Sequence, residues 1–136
     1  MKIVDLNVLL YVVNADSAHH RPLLEWWNQA VNQESLGLPW VVLLGFLRIS
    51  THPKIFPSPL APEIALRTVD TWLSLDNIRV VREREQHWEI LRSLLEESGT
   101  AGNLTTDAHA VLISCDNDFM RFKGLRWENP LGHLRR

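Results

Sequence analysis

Hydrophobic residues in this chain follow two patterns that alternate along the sequence and are separated by polar residues. One pattern is a short continuous run, and the other is a longer stretch with an apolar residue at every third or fourth position. Brief apolar runs predict buried strands, and longer stretches with apolar residues every three or four positions predict helices. Strands or short extended pieces are predicted at residues 3–6, 38–40, 78–81, 110–114 and 125–127. Helices are predicted at residues 8–13, from Asp16 or Ser17 up to Gly37, and at residues 41–50, 62–75 and 85–98. Strands that are apolar throughout and alternate with helices favour an α/β fold, a mostly parallel sheet flanked by helices.

Three residues at or inside these elements carry specific expectations. Asn7 is predicted to cap the first helix, because its side chain can accept a backbone N–H. Pro39 has no N–H to donate, so the piece that contains it is not expected to continue as a central strand. Gly45 lies inside a predicted helix at a cost of about 1 kcal/mol relative to alanine, so another group is expected to approach it closely.

Composition narrows the class of protein. A hydrophobic fraction of 46% with 22% charged residues predicts one soluble domain over residues 1–136. The net charge of −2 gives no overall attraction for nucleic acid, so a polyanion would need a local basic patch or metal ions.

Cys115 is the single cysteine and cannot form an internal disulfide, which favours a cytoplasmic setting. The longest apolar runs are too short to span a membrane. The six tryptophans are interpreted as core residues rather than base-stacking surfaces.

The candidate chemistry lies in acidic residues at predicted strand ends. Asp5 stands inside an apolar segment, where an unpaired charge is costly, and Asp116 and Asp118 directly follow another predicted strand. Ligands of parallel sheets bind beyond the carboxyl ends of the strands, so these acids form a candidate site. Clustered carboxylates favour hard cations such as Mg²⁺ or Mn²⁺. Two alternatives stay open: Asp107 has the residue type of a helix cap, and Asp116 and Asp118 could form an Asx turn.

Three segments of the chain form a distinctive combination: residues 4–10 (Val-Asp-Leu-Asn-Val-Leu-Leu), residues 103–109, which contain Thr-Asp-Ala-His, and residues 114–119 (Ser-Cys-Asp-Asn-Asp-Phe). Together they resemble the PIN-domain ribonucleases, and more narrowly the VapC-type toxins of bacterial toxin–antitoxin pairs. Residues 38–53 and 125–130 are similar to one subgroup of that family. The likeness covers nearly the whole chain, and the combination is specific although each motif alone is weak.

The resemblance implies a PIN-like fold and an Mg²⁺- or Mn²⁺-dependent endoribonuclease that acts as a toxin. It implies that Asp5, Asp107 and Asp116 are metal ligands and catalytic residues, with Asp118 close to them. The implied partners are an RNA substrate, a cognate antitoxin that blocks the site, and a second copy of the chain in a homodimer. Asn7 and Thr106 would orient these carboxylates through hydrogen bonds.

The chain departs from the family pattern at two places. Gly45 stands where many members carry a glutamate, so one acid is missing. Residue Ala110 follows His109 directly, although a parallel crossover normally needs about a dozen residues or more. Either the crossover helix after His109 is truly absent, or a segment is unrecorded in the sequence. Both departures favour the alternative function, a weakly active or inactive PIN-like domain that binds RNA or a partner protein. A phosphatase with Asp5 as nucleophile is disfavoured, because residue 7 is an amide.

Overall fold

A computed structural model describes residues 1–81, 111–121 and 126–132. Within these residues a five-stranded sheet has the strand order β3-β2-β1-β4-β5, and every neighbouring pair is parallel. The strands are β1 (Lys2–Val4), β2 (Leu36–Pro39), β3 (Ile78–Val81), β4 (Val111–Ile113) and β5 (Trp127–Glu128). The helices are α1 (Leu6–Val13), α2 (His20–Gln33), α3 (Trp40–Ser50) and α4 (Pro62–Leu73), and a 3-10 helix spans Asn117–Arg121. The predicted parallel α/β fold is confirmed.

The start of α1 corrects the predicted cap. The strand ends at Val4, and Asp5 is the N-cap of a helix that begins at Leu6, two residues before the predicted start. The Asp5 carboxylate accepts a hydrogen bond from the Leu6 N–H at 2.7 Å, which satisfies one of the donors that a helix start leaves open. Asn7 lies inside the helix, so its side chain is available for other contacts.

The boundaries around α2 and β2 also differ from the prediction. His19 is the N-cap of α2 and makes no side-chain cap hydrogen bond, and the helix ends at Gln33 rather than at Gly37. Gly37 instead lies in β2, where an added Cβ would be 2.5 Å from the Val81 Cγ2 atom. Pro39 is the last residue of β2, so its missing N–H does not prevent the strand from pairing with both β1 and β3.

The core of the described residues contains an aromatic cluster. The rings of Trp27 and Trp72 lie 5.2 Å apart, and those of Phe46 and Trp72 lie 4.9 Å apart. These contacts join α2, α3 and α4 through fully or largely buried side chains. The core interpretation of the tryptophans is confirmed for Trp27 and Trp72, whereas Trp40 at the start of α3 is 49% exposed.

A salt-bridge cluster ties the first residue of β1 to its surroundings. The Lys2 Nζ atom lies 2.7 Å from a Glu34 carboxylate oxygen and 3.1 Å from one of Glu128. Glu34 is the C-cap of α2 and Glu128 belongs to β5, so one ammonium joins three elements. Burial lowers the pKa of Lys2, but the hydrogen bonds and charges of the two glutamates outweigh burial and raise it above 10.5.

Two sequence predictions lie outside the described residues: the helix at residues 85–98 and the short connection after His109. The single-domain assignment over residues 1–136 therefore stays a prediction. In the described part of the chain, no helix combines the length and the apolar character needed to cross a membrane.

Candidate active site

Asp5 lies at the carboxyl end of β1, next to the end of β4. Its backbone N–H donates to the Ile113 carbonyl at 2.9 Å, which continues the pairing of the two strands to this edge of the sheet. One carboxylate oxygen, Oδ1, accepts from the Leu6 N–H, and the other, Oδ2, accepts from the Ser114 hydroxyl at 2.7 Å. Asn7 Nδ2 lies 3.5 Å from the same Oδ2 atom. These donors satisfy the partly buried charge that the sequence made conspicuous.

Ser114 is the centre of the hydrogen bonds at this edge. The residue is fully buried, and its hydroxyl oxygen receives hydrogen bonds from Asn7 Nδ2 and from the Asp116 N–H, each at 3.1 Å. Its own backbone is held by β5, because its N–H donates to the Glu128 carbonyl and its carbonyl accepts from Trp127 Nε1. Ser114 belongs to the sequence motif at residues 114–119, but the sequence alone predicts no role for it at the site.

Asp116 lies between β4 and the 3-10 helix, Asp118 lies within that helix, and both residues are exposed. The Asp118 N–H donates to Asp116 Oδ1 at 2.9 Å, which is the Asx turn left open as an alternative. The turn also places the Asp116 N–H against Ser114, the residue that holds Asp5. Asp5 and Asp116 are therefore brought to one edge of the sheet, as the parallel topology predicted.

The predicted metal ligands fit a hard cation by the chemistry of their donors. Asp5 and Asp116 offer carboxylate oxygens, which Mg²⁺ and Mn²⁺ prefer, and Mg²⁺ is commonly held by one or two carboxylates with several waters retained. Asp107 and Thr106 lie outside the described residues. Among the residues that are described, no three His, Cys, Asp or Glu side chains come together as a metal site. The three-ligand set therefore stays a prediction.

Gly45 faces Leu6, the first residue of α1 and the neighbour of Asp5 in the sequence. A Cβ added at Gly45 would be 2.8 Å from the Leu6 Cδ2 atom, so the predicted close approach is confirmed and Leu6 is the group that approaches. The Leu6 side chain thus fills the space beside the backbone at position 45, where the family pattern has a glutamate.

Cys115 lies between Ser114 and Asp116 in the sequence. Burial, with a smaller contribution from the charge of Asp5, raises the pKa of its thiol to about 11. The thiol is therefore protonated at neutral pH, and a protonated thiol is a poor nucleophile. Mg²⁺ and Mn²⁺ prefer oxygen donors to sulfur, so the carboxylates are the candidate ligands.

Comparisons with known proteins agree with this geometry. The PIN domain family model matches residues 2–125. Ribonuclease VapC37 of Mycobacterium tuberculosis is 42% identical over 140 residues, which cover 96% of this chain and 97% of that protein. Ribonuclease VapC33 of the same species is 38% identical over 141 residues, which cover 96% of this chain and 99% of that protein.

A solved structure supports the fold independently. The crystal structure of VapBC2 from Rickettsia felis bound to a DNA fragment from their promoter matches with a TM-score of 0.63. The match covers 94% of this chain and 97% of that chain, at 16% sequence identity. Together with the family model and the curated relatives, it confirms the resemblance carried by the three sequence segments. The chain belongs to the PIN-domain family and, within it, to the group of the VapC ribonucleases.

Proposed function

We propose that this protein is an endoribonuclease that hydrolyses RNA phosphodiester bonds and acts as the toxin of a toxin–antitoxin pair. The observation that carries the proposal is that the Asp5 carboxylate and the Asp116 backbone N–H bond to one buried hydroxyl at the carboxyl edge of the sheet. Two carboxylates held at one edge suit metal-assisted hydrolysis of a phosphodiester. The names of the relatives, which are ribonucleases, support the choice of RNA as the substrate.

The proposed cofactor is Mg²⁺ or Mn²⁺, held by Asp5 and Asp116 together with Asp107. When bound, such a cation supplies an activated water and neutralises the charge that develops on the leaving oxygen. The chain contributes the placement of the donors: Leu6 and Ser114 each hold one oxygen of the Asp5 carboxylate. The exposed carboxylate of Asp118, two residues beyond Asp116, is proposed to lie close to the reacting phosphate.

The proposed partners are a cognate antitoxin and a second copy of the chain, in a cytoplasmic setting. Support for an antitoxin comes from the similar R. felis structure, which is that of VapBC2 bound to a DNA fragment from their promoter. Support for a protein partner also comes from α3, where Val41 and Leu44 are 66% and 62% exposed. These two side chains are three residues apart on one helix and form an apolar surface of the kind found at protein interfaces.

The second candidate function is an inactive PIN-like domain that binds RNA or a partner without cutting. Gly45 is the observation in its favour, because the position of the usual glutamate is filled by contact with Leu6. The two functions are separated by incubating purified, antitoxin-free protein with structured RNA and Mg²⁺ or Mn²⁺, and in parallel with EDTA. Cleavage that requires the divalent cation is the expected result. Binding of RNA without metal-dependent cleavage would refute the enzyme and favour the second function.

A further inference from the structure

A run of hydrogen bonds leads from the Cys115 backbone to the Asp5 carboxylate, and each link has only one possible direction. The Cys115 N–H can only donate, and its partner at 3.1 Å is Asn7 Oδ1. The amide of Asn7 is therefore oriented with its NH₂ group toward Ser114 Oγ, at 3.1 Å. Because an NH₂ group can only donate, Ser114 Oγ is the acceptor in this second link.

The direction of the hydrogen bond between Ser114 and Asp5 follows from the number of hydrogen bonds that a hydroxyl can donate and accept. A serine hydroxyl has one proton to donate and two lone pairs to accept with. Asn7 Nδ2 and the Asp116 N–H occupy both acceptor positions of Ser114 Oγ. The single proton therefore goes to Asp5 Oδ2, at 2.7 Å. Ser114 is fully buried, so exchange with a bulk water partner is excluded in this arrangement.

We propose that Ser114 is a positioning residue for the reaction, an inference that rests on the proposed function. Its hydroxyl fixes one oxygen of Asp5 while the Leu6 N–H fixes the other, so the plane of the carboxylate is set. The same hydroxyl accepts from the Asp116 backbone, so the turn that carries Asp116 is held at a constant place relative to Asp5. Asn7 acts through Ser114 by setting the direction of the hydroxyl proton.

A matched pair of buried serines provides the test. Ser50 and Ser114 are the buried polar residues of the described chain, but Ser50 Oγ has no hydrogen-bond partner there. Mn²⁺ binding to the full chain, measured by titration calorimetry and by electron paramagnetic resonance, is compared for the parent, Ser114→Ala and Ser50→Ala. Loss of a group that orients a metal ligand typically weakens metal affinity by about 10- to 100-fold. We expect a loss of that size for Ser114→Ala and less than about a twofold change for Ser50→Ala.

Two further variants separate positioning from a general loss of structure. Ser114→Thr keeps the hydroxyl and is expected to retain Mn²⁺ affinity within a few fold, provided that thermal melting shows a folded protein. Asn7→Ala is expected to weaken Mn²⁺ binding less than Ser114→Ala does. The double variant Asn7→Ala with Ser114→Ala is expected to match Ser114→Ala alone, because residues in one network are not additive. Additive losses would show that Asn7 acts on Asp5 directly and would overturn its part of the inference.

The outcomes distinguish this inference from the proposed function. If the parent binds Mn²⁺ and cleaves RNA while folded Ser114→Ala binds Mn²⁺ within twofold of the parent, the positioning role is overturned and the function stands. If Ser114→Ala is unfolded by melting, the comparison of Ser114→Thr with the parent decides, and a loss of tenfold or more in the folded threonine variant overturns the inference. If the parent neither binds Mn²⁺ nor cleaves RNA, the proposed function and this inference fall together.

Discussion

The two buried serines are expected to respond to alanine in opposite directions when folding stability is measured. Ser114→Ala removes a hydrogen bond to a charged carboxylate, which contributes about 1.5–3 kcal/mol. It also removes the nearer acceptor of the Asn7 amide and leaves only the 3.5 Å contact with Asp5, at a further cost of about 1 kcal/mol. The bond from the Asp116 N–H to the same hydroxyl is also lost but is not counted, so the sum is a minimum. The expected loss in the free energy of unfolding is about 3 kcal/mol.

Ser50→Ala removes a buried hydroxyl that has no partner in the described residues. Burying an unpaired hydroxyl costs about 1–3 kcal/mol on mutational scales, so its removal is expected to stabilise the protein by about 1 kcal/mol. The assay is urea denaturation followed by tryptophan fluorescence, because single domains of this length usually unfold in two states. A midpoint for Ser114→Ala equal to that of the parent, or a midpoint for Ser50→Ala below it, would refute the hydrogen-bond assignment.

Three further expectations follow from the described contacts. Phe46→Ala is expected to destabilise the protein by about 3–5 kcal/mol, measured by the same denaturation, because Phe46 is fully buried. Lys2→Met is expected to lower stability by at most about 1 kcal/mol at neutral pH, since Glu34 and Glu128 are partly exposed. Because the pKa of Lys2 is raised, the stability that Lys2 provides relative to Lys2→Met is complete below pH 10.5 and is lost as the pH rises further. The melting temperatures of the parent and of Lys2→Met should therefore converge above pH 10.5. Cys115, with a pKa of about 11, is expected to react with a disulfide reagent at least about tenfold more slowly at neutral pH than an unperturbed thiol, because the smaller thiolate fraction outweighs its higher nucleophilicity. A rate equal to that of free cysteine would contradict the raised pKa.

The sequence was sufficient to predict how the site is placed. Apolar strands alternating with helices predict a parallel sheet, and a parallel sheet brings the residues that follow its strands to one edge. That argument placed Asp5 and Asp116 together, and the structure agrees. The prediction of a close contact at Gly45 was also correct, because a glycine inside a helix needs a reason and Leu6 supplies it.

The sequence was insufficient where the answer depends on contacts between distant residues. Ser114 and Asn7 are 107 residues apart, and neither residue type reveals the bond between them. The sequence predicts Asn7 as the cap of α1 and the structure has Asp5, because aspartate and asparagine cap helices about equally well and local spacing does not choose between them. The choice is made by β4, whose backbone fixes Asp5 in an extended conformation at the end of the strand.

The central claim is that the Asp5 carboxylate takes part in metal-dependent cleavage of RNA. Its most direct test is the rate of Mn²⁺-dependent RNA cleavage by Asp5→Asn, with Asp16→Asn as the matched control because Asp16 is exposed on the turn before α2. The amide keeps the size of the side chain but loses the charge that a hard cation requires. We expect Asp5→Asn to lose at least about a hundredfold in rate and Asp16→Asn to remain within about twofold of the parent. Cleavage by Asp5→Asn at the rate of Asp16→Asn would contradict the account.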